Sequence, residues 1–235
     1  MIPSLLAVRQ HNEAYGNTDA ELFEIAGVYL PRPDHPLPDE PTSLAFVTAG
    51  DFRQAKGIVE ALVQRLHITL PLTARVIKAP LFSPGQVAEL LLGESPLGIL
   101  GQIDPDQLAK FELRAACSAA EIELDVLIAS AQLVPRYEPL PPFPPVVRDL
   151  SLEVDRTLSW ALLSATVKQA AGPALTAIEY LDTFQGGNLP EDRQSLHFSM
   201  TFRHPERTLT GEEVDRAVKS VVDACAANFQ AKLRG

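Results

Sequence analysis

Five prolines fall within seven residues, Pro139, Pro141, Pro142, Pro144 and Pro145, and run into the stretch Val146–Asp155, VVRDLSLEVD. Proline holds φ near one value and drives its predecessor toward extended geometry. Residues 139–145 therefore predict a stiff, polyproline-like connector. From Val147 the pattern changes. Leu150, Leu152 and Val154 point one way, and Asp149, Ser151, Glu153 and Asp155 point the other. A period of two predicts a strand with one buried face. A rigid connector followed by a fresh strand divides the chain into a first module over 1–138, a linker over 139–145 and a second module over 146–235.

The charge differs across that division. Residues 1–138 hold 10 Lys and Arg against 18 Asp and Glu, a net of −8, whereas residues 139–235 hold 10 against 12, a net of −2. The acidic first module should repel phosphate, and the near-neutral second can bind it through a local basic face. No apolar run is long enough for a membrane span, so no membrane partner is expected. The start, MIPSLLAVRQ, lacks a basic region leading into an apolar core, so it does not read as a signal peptide. Cys117 and Cys225 stand far apart, and no CxxC or HxxxH spacing occurs, so no metal site is expected. A reduced, cytoplasmic compartment fits this cysteine usage.

Within the first module, residues 22–30 predict a strand, PRPDHPLPDEP a surface loop, and Ser43–Thr48 another strand. Asp51 is a candidate N-cap for a helix over 52–66, whose Phe52, Ala55, Ile58, Val59, Leu62, Val63 and Leu66 form one apolar stripe. Arg75–Lys78, Val87–Leu92 and Leu97–Ile103 predict strands, the last two joined by a turn at Gly93–Pro96. Asp104–Pro105 opens a short helix. Ile122–Leu124 predicts a final strand before a helix from Asp125. The sum is an α+β module on a mainly antiparallel sheet. Lys56–Gly57 follows no glycine-rich loop, and neither GxSxG nor HExxH occurs, so no catalytic residues are expected. Gly98 and Gly101, inside a strand, predict close backbone packing.

In the second module, Ser159 caps a helix carrying Trp160, Leu163 and Val167, which ends at Gly172–Pro173. Leu175–Phe184 and Arg193–Arg203 predict strands. On the latter, Leu196, Phe198, Met200 and Phe202 face a core, and Ser195, His197, Ser199 and Thr201 face away. Thr210 and Glu213 form a capping box for a helix with Val214, Ala217, Val218, Val221, Val222 and Cys225 on its buried stripe. A short strand near Ala231–Arg234 completes β-α-β-β-α-β, a ferredoxin-like order. Two helices would cover one face of four strands, leaving the other open for binding. That topology serves several functions, so it does not choose among them.

The segments PPVVRDLSLEVD, YLDTFQGG, RQSLHFSMTFRHPERTLTGEEVD and AKLRG resemble, in order and spacing, the ferredoxin-fold anticodon-binding domain that closes the β subunit of bacterial phenylalanyl-tRNA synthetase. Upstream, SLLAVRQHNEAYGN, LFEIAGVYL, DFRQAKGIVEALVQRL, PLGILGQIDPD and IELDVL are similar to the preceding region of the same subunit. In the family this region is a module shaped like a class II synthetase catalytic domain but inactive. The family's histidine–proline turn appears here as LFSPGQVA. The resemblance implies a C-terminal piece of a longer subunit. It also implies an α2β2 heterotetramer with the α subunit, phenylalanine-specific tRNA as partner, and ATP and magnesium as requirements of the holoenzyme alone. Phe202–Glu206 mimics an ATP-binding arginine motif but lies in the second module, and Pro105 stands where a second arginine would be needed after Gly98–Asp104.

Carried over by resemblance, Asp182, Phe184 and Ser195 are anticodon contacts. Asp182 would hydrogen-bond a base, and the ring at 184, usually tyrosine in the family, would stack on one. Arg148, Arg203, Arg207 and Arg234 are candidate phosphate contacts. The residues by themselves leave plainer roles open: Asp182 capping a strand end, Phe184 in a core, Ser195 facing solvent. A ferredoxin-like regulatory module that senses a small ligand near Gly186–Gly187, and a purely structural docking piece, also remain open.

Overall fold

The computed structural model describes every residue except Pro135, Arg136, Glu138 and Gly235. The chain forms two compact units, Met1–Arg136 and Tyr137–Gly235. The expected boundary at residue 138 lies outside the described residues. Residues 139–145 carry no helix or strand.

The first unit is a six-stranded antiparallel sheet in the order β1-β2-β6-β5-β4-β3. Its strands are β1 (Leu22–Gly27), β2 (Thr42–Thr48), β3 (Leu72–Val76), β4 (Phe82–Leu92), β5 (Ser95–Ile103) and β6 (Ser118–Glu123). Helix α2 (Phe52–Arg65) starts at Asp51, whose carboxylate accepts the Gln54 N–H at 2.9 Å while the Gln54 amide oxygen accepts the Asp51 N–H. Ala55, Val59 and Val63 of α2 and Leu127 of α4 (Leu124–Ser130) pack on Phe46, Leu90, Leu100 and Ile122 of one sheet face. The other face meets Leu108 of α3 (Pro105–Lys110) and a helix that the sequence reading does not include, α1 (Ile2–Ala14). Ile2, Leu5, Leu6 and Arg9 are its buried positions. They follow the helical interval, but the fourth is an arginine, which breaks the apolar stripe. Arg9 is fully buried because its guanidinium donates to the carbonyls of Ala20 and Thr18, the latter at 3.0 Å, and pairs with Glu13. Four expected strands differ by more than two residues at an end: β1 ends at Gly27 rather than 30, β3 lies over 72–76 rather than 75–78, β4 starts at Phe82 rather than 87, and β6 spans 118–123 rather than 122–124.

Gly98 shows why β5 and β6 lie so close. Its φ is +154°, and a Cβ there would sit 2.2 Å from the Glu121 carbonyl oxygen. Only a residue without a side chain fits.

The second unit is a four-stranded antiparallel sheet in the order β10-β7-β9-β8. Its elements are β7 (Val146–Asp155), α5 (Trp160–Ala171), β8 (Leu175–Phe184), β9 (Arg193–Phe202), α6 (Gly211–Phe229) and β10 (Lys232–Leu233). This is the ferredoxin-like arrangement. Leu150, Leu152, Val154, Leu196, Phe198, Met200 and Phe202 pack beneath Leu163 and Val167 of α5 and Val214, Val221 and Cys225 of α6. Ser159 caps α5, and the Thr210–Glu213 capping box opens α6. Trp160 lies against Tyr180 and Phe198, ring centroids 5.6 and 5.5 Å apart, and so fixes the start of α5 on β8 and β9.

Candidate nucleic-acid interface

The site is built on the sheet face opposite the two helices. Strand β9 supplies its centre. Register places Ser195 opposite Glu153 and Phe184, and His197 opposite Ser151 and Asp182. On β9, alternation alone sends Ser195 and His197 away from the helices. Strand β8 is different. Ile178 and Tyr180 oppose Met200 and Phe198 on the helix side, yet Asp182 and Phe184, of the same parity, oppose His197 and Ser195 on the open side. A register shift between Tyr180 and Asp182 makes this possible, with Leu181 as the extra residue of a β-bulge. The bulge reverses which parity faces out. Without it, Asp182 and Phe184 would point into the core with Tyr180.

The bulge is held from within β8. The Thr183 N–H donates to Asp182 Oδ1 at 2.7 Å, and the Tyr180 and Thr183 hydroxyls lie 2.6 Å apart. Asp182 therefore does cap its own strand locally through one carboxylate oxygen, while the residue lines the recess. Phe184 is 47% exposed, so it is not a core residue. Gly186 and Gly187 follow with φ of +86° and +62°, and a Cβ on Gly187 would come within 3.3 Å of the Phe184 ring. The glycine turn thus closes against the ring, and a side chain at 187 would push the ring aside by a few tenths of an ångström.

Arg234 completes the recess from the far edge. Its N–H donates to the Ser151 carbonyl at 2.9 Å, and its guanidinium carbon stands 5.0 Å from the Phe184 ring centroid. Strands β10 and β8 are the two edges of the sheet, about 14 Å apart at the usual strand spacing. The two side chains therefore meet across the face, over the strand that carries Ser195. This explains why Ser195 is only 4% exposed, where alternation alone predicts a solvent-facing serine. Ser151, Asp182, Phe184, Ser195, His197 and Arg234 together line a recess of about 250 Å³.

The three residues implied by resemblance are thus brought together. The four candidate arginines are not. Arg234 lines the recess. Arg148 opposes Met200 on the helix side and pairs with Asp215 of α6 at 3.4 Å. Arg207 is held by both carboxylate oxygens of Glu213, at 2.8 and 2.6 Å. That pairing holds the Glu213 carboxyl far below the usual carboxylate range and raises the Arg207 guanidinium. Arg203 follows β9, its N–H on the Ala174 carbonyl and its Nε buried with no partner among the described residues. His197 and Ser151 are site residues that the motif comparison did not single out. The open-face parity of β9 was the signal for His197.

The first unit carries several recesses; the largest described, about 610 Å³, is lined by Lys78, Lys110, Asp104 and Asp106, so it holds as many carboxylates as lysines. A recess of about 370 Å³ on its sheet opens beside Gly98 and Ile99. Its charged lining residues among those described are the carboxylates Glu89, Glu121 and Glu123, of which Glu89 is paired with Arg75 and Glu121 with the N-terminal ammonium. No described lysine or arginine lines it, so a triphosphate would meet repulsion rather than a clamp. Among the described residues no group of three His, Cys, Asp or Glu could hold a metal ion. The residues lining the recess beside Gly98 do not fit ATP–magnesium, and no chemical step is assigned to them. No described helix is long and apolar enough to cross a membrane.

Two family models match the chain. Residues 141–234 match the ferredoxin-fold anticodon binding domain, and residues 1–124 match the phenylalanyl tRNA synthetase beta chain CLM domain. Three relatives are each called phenylalanine–tRNA ligase beta subunit. The protein of Clostridium tetani is 33% identical over 99% of this chain and 30% of its own length. That of Geobacillus kaustophilus is 33% identical over 100% of this chain and 31% of its own. That of Rhodopirellula baltica is 33% identical over 99% and 36%. The chain therefore spans about a third of the length of the curated relatives it matches. With more than half of its residues matched by a model of that beta chain and the rest by the anticodon-binding domain, the chain belongs to the phenylalanyl-tRNA synthetase β-subunit family.

Proposed function

We propose that this chain is the tRNA-holding C-terminal part of a phenylalanine–tRNA ligase β subunit. Its second unit would bind the anticodon loop of phenylalanine-specific tRNA on the open sheet face. Phe184 stacks on an unpaired base. The free oxygen of Asp182 accepts from a base N–H, and the Ser195 hydroxyl lies between them at the recess floor. Arg234 supplies the phosphate contact, because Arg148 and Arg207 are already occupied by Asp215 and Glu213. One observation carries this reading: Asp182, Phe184 and Ser195, from two strands, share one recess with a half-exposed ring. Open sheet faces with an aromatic and an arginine hold single-stranded RNA by stacking and charge.

In the same reading the first unit is a non-catalytic module that docks the α subunit of an α2β2 assembly in the cytoplasm. The α subunit would join phenylalanine to tRNA using ATP and magnesium. A small-ligand sensor at Gly186–Gly187 is less well supported, since neither glycine lines the recess. The test is binding of the 235-residue chain to an anticodon hairpin of phenylalanine-specific tRNA, with an unrelated hairpin as competitor, by fluorescence anisotropy at low salt. The cognate hairpin should bind, and the competitor should displace it poorly. Equal displacement by both would refute the reading.

A further inference from the structure

We infer that His197 is a second stacking platform, so that the recess holds two consecutive unpaired nucleotides rather than one. This rests on the anticodon-binding reading above and adds a specificity-determining residue to it.

His197 lies at the middle of β9, an interior strand of the sheet. Its neighbours across the face are Ser151 on β7 and Asp182 on β8. Neither is bulky enough to cover an imidazole. The ring is half-buried, lines the recess and makes no hydrogen bond to another described residue. Its two ring nitrogens therefore take no part in the hydrogen bonding among the described residues, and neither is a buried atom without a partner. On the helix side, by contrast, Gln194 is tied to the carbonyls of Asp155 and Leu158, and to Gln185.

Position relative to Phe184 gives the second half. Phe184 opposes Ser195, so His197, two residues on, is its diagonal neighbour on the same face. Diagonal residues of an antiparallel pair are about 7–8 Å apart. No ring contact joins His197 and Phe184 among the described residues, so each ring is left to carry its own base. RNA-binding sheets of four strands use two aromatics in this way, holding successive splayed bases. Arg234 lines the same recess, so its guanidinium can reach the phosphate that joins the two nucleotides. Asp182, directly opposite His197, is then placed to accept from the edge of the base on the imidazole as well as the one on Phe184.

The test uses the 235-residue chain and the anticodon hairpin, at one salt concentration. The first readout is affinity for His197→Ala and His197→Phe, each with the intact hairpin and with a hairpin made abasic at either nucleotide flanking the one stacked on Phe184. His197→Ala should weaken binding of the intact hairpin about 5-fold or more, and His197→Phe should restore it. One of the two abasic hairpins should bind wild type and His197→Ala equally. The second readout is the imidazole carbon-bound proton signals in wild type, which should move upfield on hairpin binding as a base ring covers them. Unchanged affinity in His197→Ala, failure of phenylalanine to rescue, or unmoved imidazole signals would overturn the second platform. Phe184→Ala separates the two levels. If it weakens binding while His197→Ala does not, only the second platform is lost; if neither does, the anticodon reading falls with it.

Discussion

Replacing Phe184 by alanine removes the ring on which the RNA reading depends, and the structure sets the size of the effect. Stacking of one base on an aromatic is worth about 1–3 kcal/mol, so the hairpin should bind about 5- to 150-fold more weakly. The substitution must leave the fold intact for that loss to be read. A fully buried phenylalanine contributes about 1.5–3 kcal/mol, and Phe184 is 47% exposed. Roughly half of that burial is at stake, together with about 0.5–1 kcal/mol for the exposed guanidinium contact with Arg234. The total falls well short of the 5–15 kcal/mol typical of a whole domain, taken as an order of magnitude. The assay is titration of labelled hairpin at fixed ionic strength, since phosphate contacts make affinity salt-dependent, with circular dichroism as the fold control. Phe184→Tyr keeps the ring and should bind nearly as wild type. An alanine variant that is folded and binds within about twofold of wild type, where stacking requires at least about fivefold, would show that the ring carries no base.

Deleting Leu181 removes the bulge residue while leaving Tyr180 opposite Phe198 and Asp182 opposite His197, so hairpin affinity should stay within about threefold of wild type; a loss of about fivefold or more, as large as that of Phe184→Ala, in a folded variant would contradict the register argument. Gly98→Ala forces a Cβ against the Glu121 carbonyl and strains a left-handed φ, which should cost about 2–5 kcal/mol in urea denaturation, and a change below about 1 kcal/mol would disprove the close approach. Burial pushes the Cys117 and Cys225 thiols from 9.0 up to about 11, and both are buried, so neither should react with a thiol reagent at pH 8 until the chain unfolds. The folded values lie above the unfolded ones, so this contribution to stability is whole below about pH 9 and is lost as pH rises toward 11; rapid modification of the native chain would refute the burial.

The second unit was more legible than the first, for a physical reason. Strands β7 and β9 each have one face on a core and one face open, so polar and apolar residues alternate over Asp149–Asp155 and over Ser195–Phe202. The helices announce themselves by caps: Ser159, and Thr210 with Glu213, are both seen bonding the first-turn N–H groups. In the first unit, α1 escaped because its fourth buried position is Arg9, satisfied by the carbonyls of Thr18 and Ala20. A buried arginine is indistinguishable in sequence from an exposed one until its partners are known. Strand β3 lies on a sheet edge with four of five residues exposed, so it has no buried face to write a period into the sequence.

The site divides along the same line. Ser195 and His197 follow from the alternation of β9. Asp182 and Phe184 do not follow from β8, since Ile178, Tyr180, Asp182 and Phe184 share one parity and strict alternation would bury all four. Resemblance supplied these two residues, and the Leu181 bulge is the physical cause that makes them accessible. A bulge costs a strand one unpaired residue and a broken ladder. Here it lets a single ten-residue strand pack Ile178 and Tyr180 under the helices at one end and offer a carboxylate and a ring to the open face at the other. The glycines after Phe184 extend the same device, because a turn with positive φ at two successive positions brings the backbone back against the ring edge. The sequence pattern that looks least like a regular strand therefore marks where the core-building part of β8 stops and the ligand-facing part begins.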